Sequence, residues 1–217
     1  MPRRQLPKRN PSIVLDAHLR SADALPEVLT SQTLFGNDQP LELEIGSGKG
    51  LFIQSVAMKR PQHNFVGVEI AQMYAAHAAS RLASRGLQNA VMVAGDAQPM
   101  LPTIPDQSLT AVHIYFPDPW WKKKHKKRRV INEQSIGQVY RALLSGGTLH
   151  FWTDVLEYFE SAIEMIAERF PQFGPPLPEL ADEDLTSDEI AYRTHFERRS
   201  VQHQIPVYRV RFEKGVC

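Results

Sequence analysis

The sequence predicts an α/β fold: a mostly parallel, doubly wound sheet with an antiparallel C-terminal strand. Two observations lead to this prediction. From residue 41 onward, short apolar runs alternate with helical segments, and strands separated by helices pair in parallel. In addition, the stretch "EIGSGKG" (44–50) closes the first of these runs and opens a helix. Free amides at a helix N-terminus beside the end of a strand are a common ligand-binding arrangement.

Each element is predicted from local signals. The predicted strands are 41–46, 64–70, 90–95, 109–116 and 148–153, and the predicted helices are about 51–59, 71–86, 132–144 and 156–170. Gly86 suits a helix C-cap and Asn132 a helix N-cap. The "SGG" at 145–147 is expected to stop the third helix before the fifth strand. After a Pro-rich connection, residues 182–199 predict a short helix and loop, and 201–214 predict strand with Pro206 at a kink or an edge.

Length and composition indicate a single domain of an ordinary globular protein. The chain has 217 residues, 42% of them hydrophobic and 23% charged. We expect a basic, partly flexible N-terminal arm (1–35) and one domain (36–217). The single cysteine, the scattered histidines and the lack of a membrane-length apolar run predict a cytoplasmic protein with no metal.

Positive charge is concentrated in two short segments. Residues 1–9 and 122–129 hold 11 of the 25 Lys and Arg and no acidic residue, so the rest of the chain has 14 basic against 24 acidic residues. A solubilising surface would mix both signs, and this separation therefore favours a polyanionic partner. The alternative is a solvated basic loop.

Acidic residues lie at the carboxyl ends of the first three predicted strands. Glu44 lies two residues before the first glycine of the loop, Glu69 is at the end of the second strand, and Asp96 follows the third. A carboxylate in the position of Glu69 can accept hydrogen bonds from a ribose, and Asp96 lies where the edge of an adenine would be. Taken alone the loop is a weak signal, because its glycines could simply form a turn and Asp96 could cap the next helix. Its spacing also differs from that of nicotinamide-dependent dehydrogenases.

This ordered set, together with "LLSGGTLHFWTD" (143–154), resembles the class I S-adenosylmethionine-dependent methyltransferases. The resemblance implies a Rossmann-like class I methyltransferase fold and S-adenosyl-L-methionine as the cofactor. It divides the domain into a cofactor half at about 40–115 and a substrate half at about 116–217. It also implies that the glycine loop faces the methionine part of the cofactor, with Glu44 near its cationic end.

The segment "PDPW" (117–120) follows the fourth predicted strand, at the edge where open α/β sheets bind ligands. Two prolines hold the backbone extended, so the Asp118 carboxylate and the Trp120 indole are presented rigidly. A carboxylate can accept hydrogen bonds from guanine, and an aromatic ring can stack on a base. The basic run directly after it can neutralise phosphates.

The stretch "FPDPWWKKKHKKRR" (116–129), with the glycine loop and "YRTHFERR" (192–199), resembles the bacterial tRNA (guanine-N7-)-methyltransferases from about residue 40 to the end. The resemblance implies methyl transfer to N7 of a guanosine in the variable loop of tRNA, by a protein that is a monomer or a homodimer and binds no membrane. It implies Asp118 as the catalytic residue. The implied cofactor-binding residues are Glu44, Gly46, Gly48, Glu69, Asp96 and Asp118, and the implied substrate-binding residues are Lys122, Asp154, Thr194, His195, Phe196 and Glu197.

Several residues on the substrate side also have a plainer interpretation. Asp154, followed by Glu157, could be only a helix N-cap. The segment 194–197 could be a surface turn, Phe196 could belong to the core, and Trp120 could pack under its loop. Two other functions also remain open: an amino-methyltransferase acting on adenine or a protein amide, and a non-catalytic RNA-binding module.

Overall fold

The computed structural model describes residues 6, 10–121, 129–179 and 194–215. These residues form one eight-stranded sheet with the strand order β1-β4-β3-β2-β5-β6-β8-β7. The strands are β1 Leu19–Ser21, β2 Leu41–Ile45, β3 Asn64–Glu69, β4 Ala90–Ala94, β5 Leu109–Tyr115, β6 Leu143–Thr153, β7 Leu177–Pro178 and β8 Tyr208–Glu213. Strands β1 to β6 pair in parallel, whereas β8 runs antiparallel to β6 and β7. The predicted fold class is confirmed.

Helices cover both faces of the sheet. They are α1 Ser31–Phe35, α2 Leu51–Lys59, α3 Gln72–Ser84, α4 Ala97–Met100, α5 Glu133–Ala142, α6 Leu156–Arg169 and α7 His195–Gln202. Side chains of β2 alternate between the faces: Leu43 packs in the core with α5 and α6, while Glu42 and Glu44 lie on the α2 side. Helices on both faces of a parallel sheet are the arrangement of a doubly wound fold.

The central strand β2 marks the point where the chain changes direction across the sheet. Its neighbours are β3 on one side and β5 on the other. The glycine loop leaves β2 and the PDPW segment leaves β5, so both lie at the carboxyl edge on either side of this switch point. Ligands of open α/β sheets bind in the crevice formed there.

The structure differs from the prediction between α5 and β6. The helix ends at Ala142 and β6 begins at Leu143, so "SGG" does not separate the two elements. Instead the register passes from Leu109↔Leu143 to Ala111↔Thr148, and the intervening residues form a bulge within the strand. Gly146 adopts a φ of 77° there and its amide donates to Lys214 O. A glycine in a bulge gives the same sequence signal as a helix stop.

Elements at both ends of the chain were also missed or misplaced. Strand β1 adds an edge strand beside β4 from within the segment expected to be an arm. Near the C-terminus, Val201 and Gln202 belong to α7, and the last strand begins only at Tyr208. The predicted strand from residue 201 was therefore too long, because α7 continues through residues whose local propensity is ambiguous.

Candidate active site

Four acidic residues lie at the carboxyl edge of four adjacent parallel strands. Glu44 belongs to β2 and Glu69 to β3, while Asp96 follows β4 and Asp118 follows β5. Since the strand order is β4-β3-β2-β5, these positions form a row across the sheet. The sequence predicted this convergence from spacing alone.

The glycine loop is held open by Glu69. The Glu69 carboxylate accepts a hydrogen bond from Gly48 N at 2.8 Å through one oxygen and from Ala71 N at 2.8 Å through the other. Gly46 and Gly48 have φ values of 85° and 52°, and a Cβ added to either would meet no heavy atom within 4 Å. Glycine therefore serves the backbone conformation there and leaves room over the loop. Each carboxylate oxygen of Glu69 retains acceptor capacity for a further donor.

Glu42 and Glu44 lie on the same face of β2 but have different surroundings. The Glu42 carboxylate accepts hydrogen bonds from Arg60 at 2.6 Å, His63 at 2.7 Å and His113 at 2.8 Å. Burial alone would raise the pKa of Glu42, but the hydrogen bond and charge of His113, with Arg60 and His63, lower it to about 2. Glu42 is thus an ionised structural residue.

Among the described residues, no cation is paired with the Glu44 carboxyl group in this way. It is 3% exposed, and its Oε2 atom is buried without a hydrogen-bond partner among the described residues. Burial raises the pKa of Glu44 to about 8; Ser47 opposes this shift and the charge of Glu69 adds to it. An unpaired buried carboxyl group is costly unless a ligand supplies the missing partner. A cationic group entering over the glycine loop would supply it, so the residues present fit the methionine end of S-adenosylmethionine.

We expect the free energy of unfolding of the cofactor-free protein to fall as pH rises from about 4.5 to 8, because of Glu44. The folded-state pKa lies above the ordinary value of 4.5, so the contribution of Glu44 to folding is complete below about pH 4.5 and is lost as pH rises toward 8. Glu44→Gln removes this loss. The free energy of unfolding of Glu44→Gln relative to the wild type should therefore rise by up to about 1.4 kcal/mol per pH unit between these values.

Urea unfolding at pH 5, 6, 7 and 8 measures this difference. The exposed Glu164→Gln on α6 serves as a control and should differ from the wild type equally at each pH. A Glu44→Gln difference that did not change with pH would contradict the burial of a protonated carboxyl group.

Asp96 is exposed and caps the short helix α4. Its Oδ1 accepts a hydrogen bond from Gln98 N at 3.0 Å. The plainer interpretation of Asp96 as a helix cap is therefore correct as far as Oδ1 is concerned. It does not occupy the whole carboxylate, which keeps acceptor capacity at the edge of the cleft.

The turn that carries Asp118 is backbone-strained at both ends. Phe116 has a φ of 49° and Trp120 a φ of 43°, a region that non-glycine residues rarely adopt. Between them, Pro117 and Pro119 restrict the backbone on each side of Asp118, whose side chain is exposed. Strain of this kind clusters at functional sites, where surrounding contacts must maintain it.

The segment 194–197 reaches the same turn. Thr194 caps α7 by accepting a hydrogen bond from Glu197 N at 3.0 Å. The Phe196 ring lies parallel to the Phe116 ring, with 5.9 Å between their centroids, and Phe196 is 53% exposed. The segment is therefore the start of a helix rather than a surface turn, and Phe196 is not a core residue.

Glu197 is buried and is held from the last strand. Its Oε1 accepts a hydrogen bond from Arg209 Nη2 at 3.1 Å, and the Arg209 guanidinium lies over the Trp152 ring at 4.7 Å. Arg209 stands opposite Trp152 in the β6–β8 register. This chain of contacts fixes α7 against the sheet.

Asp154 is exposed at the carboxyl end of β6, next to the strand that precedes Asp118. It is not the N-cap of α6: the cap position is Val155, whose amide donates to Thr153 Oγ1 at 3.2 Å. The capping interpretation was therefore wrong, and the exposed Asp154 carboxylate is accessible at this edge of the sheet. Lys122 and the side chain of His195 lie outside the part of the chain that the structure describes.

Comparison with known proteins identifies the family of this chain. A family model described as a putative methyltransferase matches residues 38–210. A tRNA (guanine-N(7)-)-methyltransferase from Rhodopirellula baltica is 55% identical over 99% of this chain and 80% of its own length. This chain belongs to the tRNA (guanine-N(7)-)-methyltransferase family. A second member, from Streptococcus mutans, is 33% identical over 82% of this chain and 83% of its own.

Solved structures of other methyltransferases share the fold of this family member. The 16S rRNA methyltransferase KamB has a TM-score of 0.61 at 16% identity, covering 85% of this chain and 92% of its own. The plantazolicin methyltransferase BamL, in complex with a triazolic desmethylPZN analog and SAH, has a TM-score of 0.53 at 12% identity, covering 85% of this chain and 80% of its own. The Rossmann-like class I methyltransferase fold is thus confirmed.

Sequence reasoning missed two arginines that support the site of this family member. Arg209 is in an alternating strand pattern, and Arg129 is the last residue of the basic run. Both are largely withdrawn from solvent, and each has a guanidinium nitrogen that is buried without a hydrogen-bond partner among the described residues. The only signal for Arg129 was the change from charged to apolar residues at Val130.

Two further results concern only the described part of the chain. It contains no helix long and apolar enough to cross a membrane. Nor does it bring together three or more His, Cys, Asp or Glu side chains that could hold a metal ion.

Proposed function

We infer that this protein transfers a methyl group from S-adenosylmethionine to N7 of a guanosine in tRNA. The observation that carries this conclusion is the 55% identity, over 99% of the chain, to a relative named for that reaction. The site supports it independently, because an exposed carboxylate and aromatic side chains lie across the switch point from a glycine loop suited to the cofactor.

We assign cofactor binding to the β2–β4 side of the cleft. Glu44 would meet the cationic methionine end, and the open backbone of Gly46 and Gly48 would allow close approach. Glu69 would accept from the ribose through its remaining acceptor capacity, Asp96 would lie at the adenine edge, and Asp118 would border the cofactor from β5. The support for this assignment is the unpartnered Glu44 oxygen and the free space over the loop.

The chemistry requires alignment more than proton transfer. S-adenosylmethionine supplies an electrophilic methyl group on a sulfonium. Guanine N7 carries an in-plane lone pair and no proton, and the base becomes cationic when N7 is methylated. The tasks left to the protein are therefore to orient the base for in-line attack and to stabilise the positive charge that develops on it.

Asp118 is the group placed to do both. Its carboxylate is exposed on a strained turn between two prolines, where a base can approach it. It would accept hydrogen bonds from the guanine and favour the developing positive charge. The stacked Phe116 and Phe196 rings lie beside this turn, and Thr194, Asp154, Glu197, Lys122 and His195 complete the proposed substrate side.

The basic run is proposed to bind the tRNA backbone. Replacing Lys123, Lys124, Lys126 and Lys127 with glutamine should weaken tRNA binding and lower the slope of log Kd against log salt by about 0.9 for each phosphate that is no longer neutralised. S-adenosylmethionine affinity should stay the same. Filter binding across a salt series measures the tRNA affinity and its salt dependence, and calorimetry measures the S-adenosylmethionine affinity.

Lys59→Gln is a suitable control, since Lys59 is exposed at the far end of α2 and should change neither affinity. An equal loss of tRNA and cofactor affinity in the quadruple variant would mean that the run supports the fold instead.

Nucleoside mass spectrometry tests the function itself. Unmodified tRNA is incubated with the protein and labelled S-adenosylmethionine, then digested and mapped. N7-methylguanosine in the variable loop is the expected product. N6-methyladenosine would indicate an amino-methyltransferase, and transfer to neither base would leave an RNA-binding module.

We also propose a cytoplasmic location and either a monomer or a homodimer. The location follows from the tRNA substrate and agrees with a chain that has one cysteine. Sedimentation equilibrium with and without tRNA would determine the oligomeric state.

A further inference from the structure

Arg129 is the last residue of the basic run, but it is buried. It is 8% exposed, whereas a residue that neutralises phosphates must present its charge at the surface. It follows residues 122–128, which lie outside the described part of the chain, and precedes the buried Ile131. A buried arginine is retained only where other groups compensate for the loss of water.

The guanidinium of Arg129 joins the PDPW turn to α6. Arg129 Nε donates to Pro119 O at 2.8 Å, and Nη1 donates to Ser161 Oγ at 3.4 Å. The guanidinium carbon also lies 4.5 Å from the centroid of the Tyr158 ring. Tyr158 is itself fixed, being 1% exposed and accepting a hydrogen bond from Ile131 N through its hydroxyl. One planar group thus stacks on a buried ring and binds the carbonyl that follows Asp118.

The turn needs such a contact because its conformation is strained. Positive φ values at Phe116 and Trp120 favour relaxation toward the extended region. At the start of the turn, Phe116 N donates to Trp152 O at 2.8 Å. At its far side, Pro119 has no N–H to donate, so its carbonyl is its only backbone hydrogen-bonding group, and Arg129 binds that carbonyl. Asp118 lies between these two attachments.

We propose that Arg129 is a positioning residue: it holds the Pro117–Trp120 turn, and thereby the Asp118 carboxylate, in the orientation that methyl transfer requires. The role in methyl transfer rests on the proposed function, whereas the role in holding the turn does not. Arg129 therefore serves the chemistry, while the lysines before it serve tRNA affinity.

Two substitutions distinguish a role of Arg129 in positioning the turn from a role of its positive charge. Arg129→Met keeps the length of the side chain and removes the guanidinium. Arg129→Lys keeps the positive charge but cannot stack as a plane while donating sideways to Pro119 O. Both variants are expected to lower the saturated single-turnover rate by about 10- to 100-fold, since misplacement by about 1 Å can cost that much. The Kd for tRNA should change less than threefold in Arg129→Lys.

The control is Arg141→Lys. Arg141 is also a partly buried arginine that donates to a carbonyl, Leu101 O, at 3.2 Å, but it lies at the opposite edge of the sheet. It should lose some thermal stability and keep the single-turnover rate. Equal rate losses in Arg141→Lys and Arg129→Lys would overturn the proposal, as would a wild-type rate in Arg129→Lys.

Hydrogen exchange tests the turn without any tRNA. In Arg129→Met and Arg129→Lys, peptide amides within 116–121 should exchange at least 10-fold faster than in the wild type, with protection in α2 and α3 unchanged. Unchanged exchange in 116–121 would overturn the proposal. This measurement gives a result even if the wild type methylates no tRNA guanine, which would refute the proposed function alone.

Discussion

Asp118→Asn is expected to lower the single-turnover rate of tRNA methylation by about 10²- to 10³-fold, the loss typical when one preorganised electrostatic group is removed from an active site. The amide keeps the shape of the side chain but loses the negative charge that, in the proposed mechanism, stabilises the cationic base. Asp118 is exposed on a turn whose ends are fixed by Trp152 and Arg129, so the substitution should leave the fold intact.

The experiment is rapid-quench transfer of labelled methyl groups to bound tRNA, for both proteins, from pH 6 to 9. Asp106→Asn is the control, because Asp106 precedes the same strand that Asp118 follows and its side chain is exposed. It should retain the wild-type rate. The wild-type rate should show no essential basic limb near neutral pH, and a limb that Asp118→Asn abolishes would instead favour proton abstraction by Asp118.

S-adenosylmethionine affinity is expected to rise by up to tenfold per pH unit between about pH 6 and 8, and Glu44 accounts for this rise. Burial raises the pKa of Glu44 to about 8 in the cofactor-free protein, so the carboxyl group is mostly protonated at pH 7. A cationic ligand favours the ionised form. Binding at pH 7 must then release nearly one proton from Glu44, and this cost disappears as pH rises through 8.

Calorimetry at pH 7 in buffers with different ionisation enthalpies counts the released protons. Glu44→Gln should release about one proton fewer than the wild type and should bind more weakly at pH 8. Titration of the cofactor's own amino group is common to both proteins and cancels in the difference. Equal proton release by the two proteins would mean that Glu44 does not meet the cofactor's cationic end.

The carboxyl-edge geometry could be predicted from sequence because it depends on short segments. Glu69 and Asp118 each lie at or just beyond the end of an apolar run, and a parallel sheet brings such ends to one edge whatever the details of packing. The helices α2 and α6 were placed to within a residue for the same reason, since their apolar spacing and their boundaries are local. The position of Asp118 at this edge was thus predicted without any knowledge of tertiary contacts.

Other features depend on partners distant in sequence and could not be predicted. Arg129 looks like its lysine neighbours until Tyr158 and Ser161, about 30 residues later, are packed around it. The different ionisation of Glu42 and Glu44 has the same origin: Arg60, His63 and His113 surround one carboxylate and not the other. The alternative role of Asp154 as a helix cap is excluded in the same way, because Thr153, one residue earlier, accepts the hydrogen bond from the Val155 amide instead.

The sheet order also has a consequence for the way the chain folds. Strand β2 pairs with β3 at Leu41↔Asn64 but with β5 at Leu41↔Leu109, so the second pairing closes a much longer loop. Contacts between residues close in sequence form sooner. We therefore expect the glycine loop and Glu69 to assemble before the Asp118 turn docks beside them. A chain that had reached only that stage would already contain most of the proposed cofactor-binding residues, and S-adenosylmethionine in the refolding buffer should then stabilise it.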